Sequence, residues 1–139
     1  VCKQIEVTKD INGKVGDYTD LYSSIEHATN IGTMFRDPKN ALLPNWKHLP
    51  VGYHGRASSI VLSGQDIHRP KGQVLLNTNT DPQFQASSRV DFELEMGFII
   101  GKKSSLGDFV STKDAEKSIF GKILFNDWSA RDTIKWECL

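Results

Sequence analysis

Cysteine is scarce in this chain of 139 residues, where Cys2 and Cys138 are the only two. Neither belongs to a CxxC motif or to a cluster with histidine, which excludes the usual ligand spacing of a structural zinc site. One disulfide between the two positions remains an alternative. The sequence favours two thiols in a reducing compartment, and we therefore expect a cytoplasmic protein.

Long apolar runs and an excess of charge of one sign are also absent. The longest apolar stretches, at 97–101 and 119–125, are too short to span a bilayer, so no membrane segment is predicted. The 17 basic and 17 acidic residues cancel without a basic stripe or an acidic tail. This balance argues against nucleic acid and anionic membranes as partners.

The ends of the chain carry little that is typical of a complete protein. The sequence does not begin with methionine, shows no signal-peptide pattern, and stops just after a predicted helix. We expect a fragment or a processed piece of a longer protein. The length and a hydrophobic content of 38% nevertheless predict one domain with a core of its own.

The patterns that are present predict more strand than helix. Alternation and β-branched residues predict strands at 59–62, 89–100 and 119–125, and a hairpin over residues 4–16 that turns at Asn12-Gly13. Capping boxes at Ser23/Glu26 and Ser129/Asp132 predict helices over about 24–30 and 130–137, the first ending at Gly32. A further short helix is predicted over 112–118, an ordered loop over 37–56 and a polar surface excursion over 65–88. The predicted fold class is a mixed, β-rich α+β domain.

The sharpest local pattern is the run DFELEM at residues 91–96. On a strand, Asp91, Glu93 and Glu95 share one face, at spacings of about 6.5–7 Å, and Phe92, Leu94 and Met96 point the other way, toward a core. Carboxylates that close repel one another when buried, unless a cation or basic side chains face them. A solvent-exposed polar strand face is the simpler alternative.

Other residues favour a cation over a solvated face. The strand continues into an apolar stretch, and Asp127 ends the second predicted buried strand. Acids that converge from separate segments, without His or Cys partners, suit an oxygen-ligated hard cation such as calcium or magnesium. His27 lies seven residues after Asp20, on the first predicted helix. A lone histidine is more often structural, so only its motif context makes it a candidate base.

Four blocks of sequence carry a resemblance to a known family. They are DYTDLYSSIEHATNIG, NALLPNWKHLPVGYHGRASSIVLSG, DFELEMGFIIG and FGKILFNDWSARD, in that order. Together they resemble the catalytic domain of the fumarylacetoacetase family, from Asp17 to about Asp132. The match implies a fumarylacetoacetase-type β-sandwich roll whose N-terminal portion is residues 17–139, with residues 1–16 left as an unmatched hairpin or linker. The last two blocks are shared with acylpyruvate hydrolases and related decarboxylases, whereas the first two favour the fumarylacetoacetases.

The resemblance also implies a function and a site. It implies metal-dependent hydrolysis of the carbon–carbon bond of 4-fumarylacetoacetate to fumarate and acetoacetate, the last step of tyrosine degradation, by a homodimer. The implied ligands of calcium, or alternatively magnesium, are Asp20, Glu93, Glu95 and Asp127, with Asp91 as a balancing neighbour. The implied general base is His27, and the implied substrate contacts are Tyr22, Arg36 and Tyr53. Arg36, Arg56 and Arg131 are candidates to offset the surplus negative charge.

Two positions depart from the family pattern. Ile134 and Cys138 stand where the family usually has a glutamine and a tyrosine that contact substrate, so substrate choice is open. The family's catalytic region also extends beyond Leu139. Three hypotheses follow: a fumarylacetoacetase, a related acylpyruvate hydrolase or keto-acid decarboxylase of the same fold, or a catalytically incomplete metal-binding fragment. We expect the first for the protein and the third for these residues acting alone.

Overall fold

The structure is a computed structural model, and it describes residues 3–6, 15–76 and 80–137. The chain divides into two compact units. The first consists of residues 1–13 together with 59–139, and the second of residues 14–58. Within the described residues, neither helix is long and apolar enough to cross a lipid bilayer.

Strands outnumber helices, which confirms the predicted β-rich α+β class. The strands are β1 (Lys3–Glu6), β2 (Tyr18–Leu21), β3 (Gly52–Gly55), β4 (Ile60–Leu62), β5 (Lys71–Val74), β6 (Gln83–Ala86), β7 (Val90–Asp91), β8 (Leu94–Ile100), β9 (Ile119–Asp127) and β10 (Ser129–Ala130). The α-helices are α1 (Ile25–Phe35) and α2 (Arg131–Glu137). Single turns of 3-10 helix cover Pro38–Asn40, Pro44–Lys47, Ala57–Ser59 and Ala115–Ser118.

The first unit is built on a four-stranded sheet in the order β4-β1-β9-β8. Strands β8 and β9 are antiparallel neighbours, from Leu94 opposite Asn126 to Gly97 opposite Ile123 and beyond. Strand β1 pairs with β9 on one edge and with β4 on the other. The turn and second arm of the predicted N-terminal hairpin fall largely in residues 7–14, outside the described residues.

The predicted strand over 89–100 is in fact two strands with a break at Phe92 and Glu93. The Asp91 side chain accepts a hydrogen bond from the Phe92 backbone N–H at 3.0 Å, an alternative to ladder pairing. Strand β7 before the break pairs with β10, whereas β8 after it pairs with β9. The break therefore changes the partner of the chain between Asp91 and Leu94.

The expected orientation of β8 is also wrong. Leu94 and Met96, predicted to face a core, are 72% and 60% exposed, and Phe92 is exposed as well. The half-buried positions are those of Glu93 and Glu95. Alternation correctly predicts that the two sets face opposite ways, but an apolar face is buried only where another layer covers it.

The second unit holds α1 and the β2–β3 pair. Ser24 caps α1 by accepting a hydrogen bond from the His27 backbone N–H at 3.2 Å, so the cap lies one residue after the predicted Ser23. Gly32, expected to end the helix, lies inside it. A Cβ there would be 2.0 Å from the carbonyl oxygen of Ala41. This glycine lets the helix and the following loop approach closely, and the helix continues to Phe35.

The segments predicted as loops contain regular structure. Residues 37–56 include two 3-10 turns and β3, which pairs with β2. Residues 65–88 include the β5–β6 pair, and α2 packs on β5 through hydrogen bonds from Trp136 to Gln73 and from the Gln73 N–H to Glu137. The last predicted helix is shorter than expected, because Ser129 and Ala130 form β10.

Candidate metal centre

Glu95 and Asp127 bring two carboxylates together on the first unit. They lie on adjacent antiparallel strands, where Glu95 is opposite Phe125. Phe125 and Asp127 are two residues apart on β9, so Asp127 is the diagonal neighbour of Glu95 on the same face of the sheet. A carboxylate oxygen of each lies within 4.8 Å of the other. Asp127 is only 7% exposed, and Glu95 is half-buried. Two like charges this close favour a divalent cation, and the carboxylate oxygens are ligands of the hard type that calcium and magnesium take.

Glu93 is held by two donors on a single oxygen. Ser129 Oγ donates to Glu93 Oε1 at 2.5 Å, and Arg131 contacts the same oxygen through Nη1 at 3.0 Å. The backbone of Glu93 is fixed as well, because its carbonyl accepts from the Asp127 N–H at 3.0 Å and its N–H donates to the Asn126 side chain at 3.3 Å. These backbone hydrogen bonds fix Glu93 beside the end of β9, where Asp127 lies.

Arg131 places one positive charge between two carboxylates. Its Nε lies 3.1 Å from Asp91, and its Nη1 is the atom that contacts Glu93. All three side chains are partly exposed, so solvent weakens the two ion pairs. The sequence named Arg131 as one of three arginines that could offset the negative charge of the site, and Arg131 does form ion pairs with Asp91 and Glu93.

The second unit contains the remaining predicted site residues. Tyr53 donates its hydroxyl to Asp20 Oδ2 at 2.7 Å, across the β2–β3 pair in which the two residues are opposite each other. The rings of Tyr22 and His27 meet edge to face, with centroids 5.5 Å apart. His27 is exposed near the start of α1. Two predicted substrate contacts therefore touch the predicted ligand and base of the same unit.

Arg36 has a local structural partner. Its Nη1 donates to the carbonyl oxygen of Ala41 at 2.9 Å, and its backbone N–H caps α1 by donating to Gly32. These bonds close the loop after the helix. Of the two departures from the family pattern, Ile134 lies on α2 with a partly exposed side chain, and Cys138 is outside the described residues.

A polar cluster around the half-buried Asp132, with a buried partner in Ser87 and an exposed one in Ser88, was not predicted. Asp132 accepts from Ser87 Oγ at 2.5 Å and from the N–H of Thr133 on Oδ1, and from the N–H and hydroxyl of Ser88 on Oδ2. Burial by itself would raise the pKa of Asp132, but these hydrogen bonds outweigh it and lower the pKa to about 2. Asp132 binds residues 44 and 45 positions away, which no local motif signals.

The predicted capping box at Ser129 and Asp132 is therefore wrong. Ser129 lies in β10 and gives its hydroxyl to Glu93, while Asp132 takes its donors mainly from Ser87 and Ser88. The spacing of the two residues matches a capping box, yet both side chains have long-range partners in place of each other's backbone.

Comparison with known proteins identifies the family of this chain. A family model described as "Fumarylacetoacetate (FAA) hydrolase C-terminal" matches residues 18–138. The chain belongs to the fumarylacetoacetate hydrolase family. The family resemblance seen in the four sequence blocks is thereby confirmed, and the exposed and buried carboxylates described above lie within the matched range.

Curated relatives of this family align with nearly the whole chain. The fumarylacetoacetase of Rattus norvegicus is 53% identical over 134 residues, which are 96% of this chain and 32% of the rat protein. The fumarylacetoacetase of Caenorhabditis elegans is 56% identical over 135 residues, with the same two shares. That of Dictyostelium discoideum is 55% identical over 133 residues, which are 94% of this chain and 31% of the relative. The chain spans about a third of the length of the curated relatives it matches.

Proposed function

We propose that the protein to which this chain belongs hydrolyses the carbon–carbon bond of 4-fumarylacetoacetate, giving fumarate and acetoacetate. The observation that carries the proposal is the carboxylate pair of Glu95 and Asp127, within 4.8 Å at the paired ends of β8 and β9. Membership of the family and 53–56% identity to three fumarylacetoacetases support the substrate. The first two sequence blocks favour this reaction over those of related acylpyruvate hydrolases.

In this proposal Glu95 and Asp127 hold a divalent cation, with Glu93 and Asp20 as further ligands by family resemblance. Calcium is the proposed ion and magnesium the alternative, since both take carboxylate oxygens. When bound, the cation supplies polarisation of the carbonyl under attack and neutralises charge on the enolate leaving group. The oxygen-only donor set fits a hard cation and does not resemble a zinc site.

His27 is the proposed general base that takes the proton from the attacking water. Imidazole is suited to this role near neutral pH, and the exposed ring of His27 leaves room for water and substrate. Tyr22 contacts the ring edge-on and would limit its rotation. Tyr22, Tyr53 and Arg36 are the proposed substrate contacts, with the Arg36 guanidinium suited to a substrate carboxylate or to the developing oxyanion.

The family resemblance extends the proposal to the setting of the enzyme. We propose a cytoplasmic homodimer that acts in tyrosine and phenylalanine breakdown. Size-exclusion chromatography with light scattering measures the dimer, and fractionation of cells that express the protein measures its location.

A calcium titration of the 139-residue chain tests the metal centre. We expect Glu95→Gln and Asp127→Asn each to weaken calcium binding by about 100-fold in isothermal titration calorimetry, because each removes one anionic oxygen ligand and even a residue that only positions a ligand accounts for about 10- to 100-fold. Glu116→Gln is the matched control, since Glu116 is an exposed residue of the 3-10 turn Ala115–Ser118. Unchanged affinity in both site variants would remove the pair from the metal centre.

A chimera tests the reaction. This chain replaces the aligned third of the rat fumarylacetoacetase, and loss of the ultraviolet absorbance of fumarylacetoacetate is followed with added calcium. We expect turnover by the chimera and its loss on His27→Ala, with calcium affinity retained in that variant because His27 is a base and not a ligand. A folded chimera that binds calcium without turnover would contradict the proposed substrate.

A further inference from the structure

We propose that Ser129 is a positioning residue that fixes Glu93 as a cation ligand by occupying only one of its carboxylate oxygens. The proposal rests on the metal centre proposed above and adds to it a residue that belongs to none of the predicted site positions. Its basis is the hydrogen bond from Ser129 Oγ to Glu93 Oε1 at 2.5 Å, between a serine that is 5% exposed and a half-buried carboxylate.

Ser129 is held firmly enough to act in this way. It lies in β10, where it pairs with Asp91, and the next residue pairs with Val90. The N–H of Arg131 donates to the carbonyl of Arg89 at 2.9 Å, which continues the pairing beyond the strand. A buried hydroxyl on a backbone fixed at several points has few other orientations, so its donor direction is set before any cation arrives.

The geometry at Glu93 separates its two oxygens. Ser129 and Arg131 both contact Oε1, and within residues 15–76 and 80–137 no donor is seen on Oε2. Hydrogen bonds from an uncharged hydroxyl and from a guanidinium to one oxygen restrain the rotation of the carboxylate plane. The second oxygen then keeps its full capacity to accept, which is what a cation ligand needs.

The two donors on Oε1 differ in how specific they are to Glu93. Arg131 is 46% exposed and divides its contacts between Asp91 and Glu93, so it supplies charge balance to both. Ser129 is buried, and its hydroxyl donates a hydrogen bond to Glu93. Partners of metal ligands that hold them in place typically account for a 10- to 100-fold difference in metal affinity. Ser129 is the partner from which we expect this effect.

Calcium titration of the 139-residue chain tests the role of Ser129. We expect Ser129→Ala to weaken calcium binding by about tenfold in isothermal titration calorimetry. Ser129→Cys is a second variant of nearly equal volume with a much weaker donor, and it should show the same loss if folding of the alanine variant is poor. In a Glu93→Gln background the same change should have no further effect on affinity, because the group that Ser129 positions has already been altered.

Ser87→Ala is the matched control. Ser87 is also buried and also donates to a carboxylate at 2.5 Å, but its acceptor is Asp132. This variant should lower the thermal midpoint and leave calcium affinity unchanged, which separates positioning from general loss of stability. If the unaltered chain binds calcium, and Glu95→Gln weakens it, while Ser129→Ala and Ser129→Cys bind as tightly as the unaltered chain, the role of Ser129 is overturned alone. If the unaltered chain binds no calcium, the metal centre fails and the role of Ser129 fails with it.

Discussion

Asp132 and Glu93 are two carboxylates of one unit, and each accepts a hydrogen bond of 2.5 Å from a buried serine. They differ in what their remaining lone pairs do. Asp132 has donors on both oxygens, from Ser87 and Thr133 on one and from Ser88 on the other. In the part of the chain that the structure describes, both donors to the Glu93 carboxylate lie on Oε1. A carboxylate saturated by the protein is suited to holding the fold, whereas one with an open oxygen is suited to binding a ligand.

The largest expected effect comes from turning each carboxylate into its amide. In Asp132→Asn the new amide group must face a backbone N–H, that of Thr133 on one side or that of Ser88 on the other, so we expect the unfolding free energy to fall by about 2 kcal/mol. In Glu93→Gln the remaining oxygen can still accept from Ser129 and Arg131, and the amide takes the other position, so the loss should stay below about 1 kcal/mol. Urea denaturation of both variants measures the two losses.

The reverse order of the two losses would break the comparison. It would mean that Oε2 of Glu93 carries a structural hydrogen bond and that one side of Asp132 does not. The two substitutions are matched in size and in the charge that they remove, so a general effect of net charge cannot produce the difference.

Acid should affect the Asp132 cluster in the range set by its pKa. The folded-state pKa is about 2, below the ordinary value of 3.8, because the hydrogen bonds from Ser87, Ser88 and Thr133 outweigh the effect of burial. A depressed pKa contributes stability that is fully present above pH 4 and is lost as the pH falls from about 4 to about 2. The contribution is on the order of 2 kcal/mol.

Urea midpoints measured between pH 5 and pH 2 test this dependence. We expect the midpoint of the unaltered chain to fall over this range more steeply than that of Asp132→Asn, whose amide does not titrate. Parallel curves for the two proteins would show that protonation of Asp132 does not weaken the fold. Ser87→Ala should lie between them, because it removes one of the four donors.

The positions of the strands could largely be predicted from the local sequence pattern, whereas the face of the sheet that is buried could not. Period-two alternation predicts the strand at β8 and a short apolar run predicts the one at β9, since both are patterns of the local sequence alone. Which face is covered depends on a layer from elsewhere in the chain, and so Leu94 and Met96 are exposed against expectation. At the break before Leu94, the Asp91 side chain accepts a hydrogen bond from the Phe92 N–H, which competes with strand pairing. The alternation of apolar and polar residues carries no information about this competition.

The site was predictable to a similar degree. An acidic strand face and an acid at the end of a second strand indicate a shared site, and Glu95 and Asp127 do lie together. Their role as ligands stays a prediction that calorimetry must test. Ser129 and Ser87 were missed because their acceptors are 36 and 45 positions away, and a serine has no sequence pattern that reveals a distant partner.

The smallest expected effect is at a third carboxylate with a serine donor, Asp114. Its Oδ2 accepts from Ser111 at 2.8 Å and its Oδ1 pairs with Lys117 at 2.6 Å. The ion pair with Lys117, and then the Ser111 hydroxyl, lower the pKa of Asp114, yet the group lies in solvent. Water replaces lost partners there, so Asp114→Asn should leave the urea midpoint within experimental error. A loss as large as that of Asp132→Asn would mean that the number of donors, and not their burial, decides what a saturated carboxylate contributes.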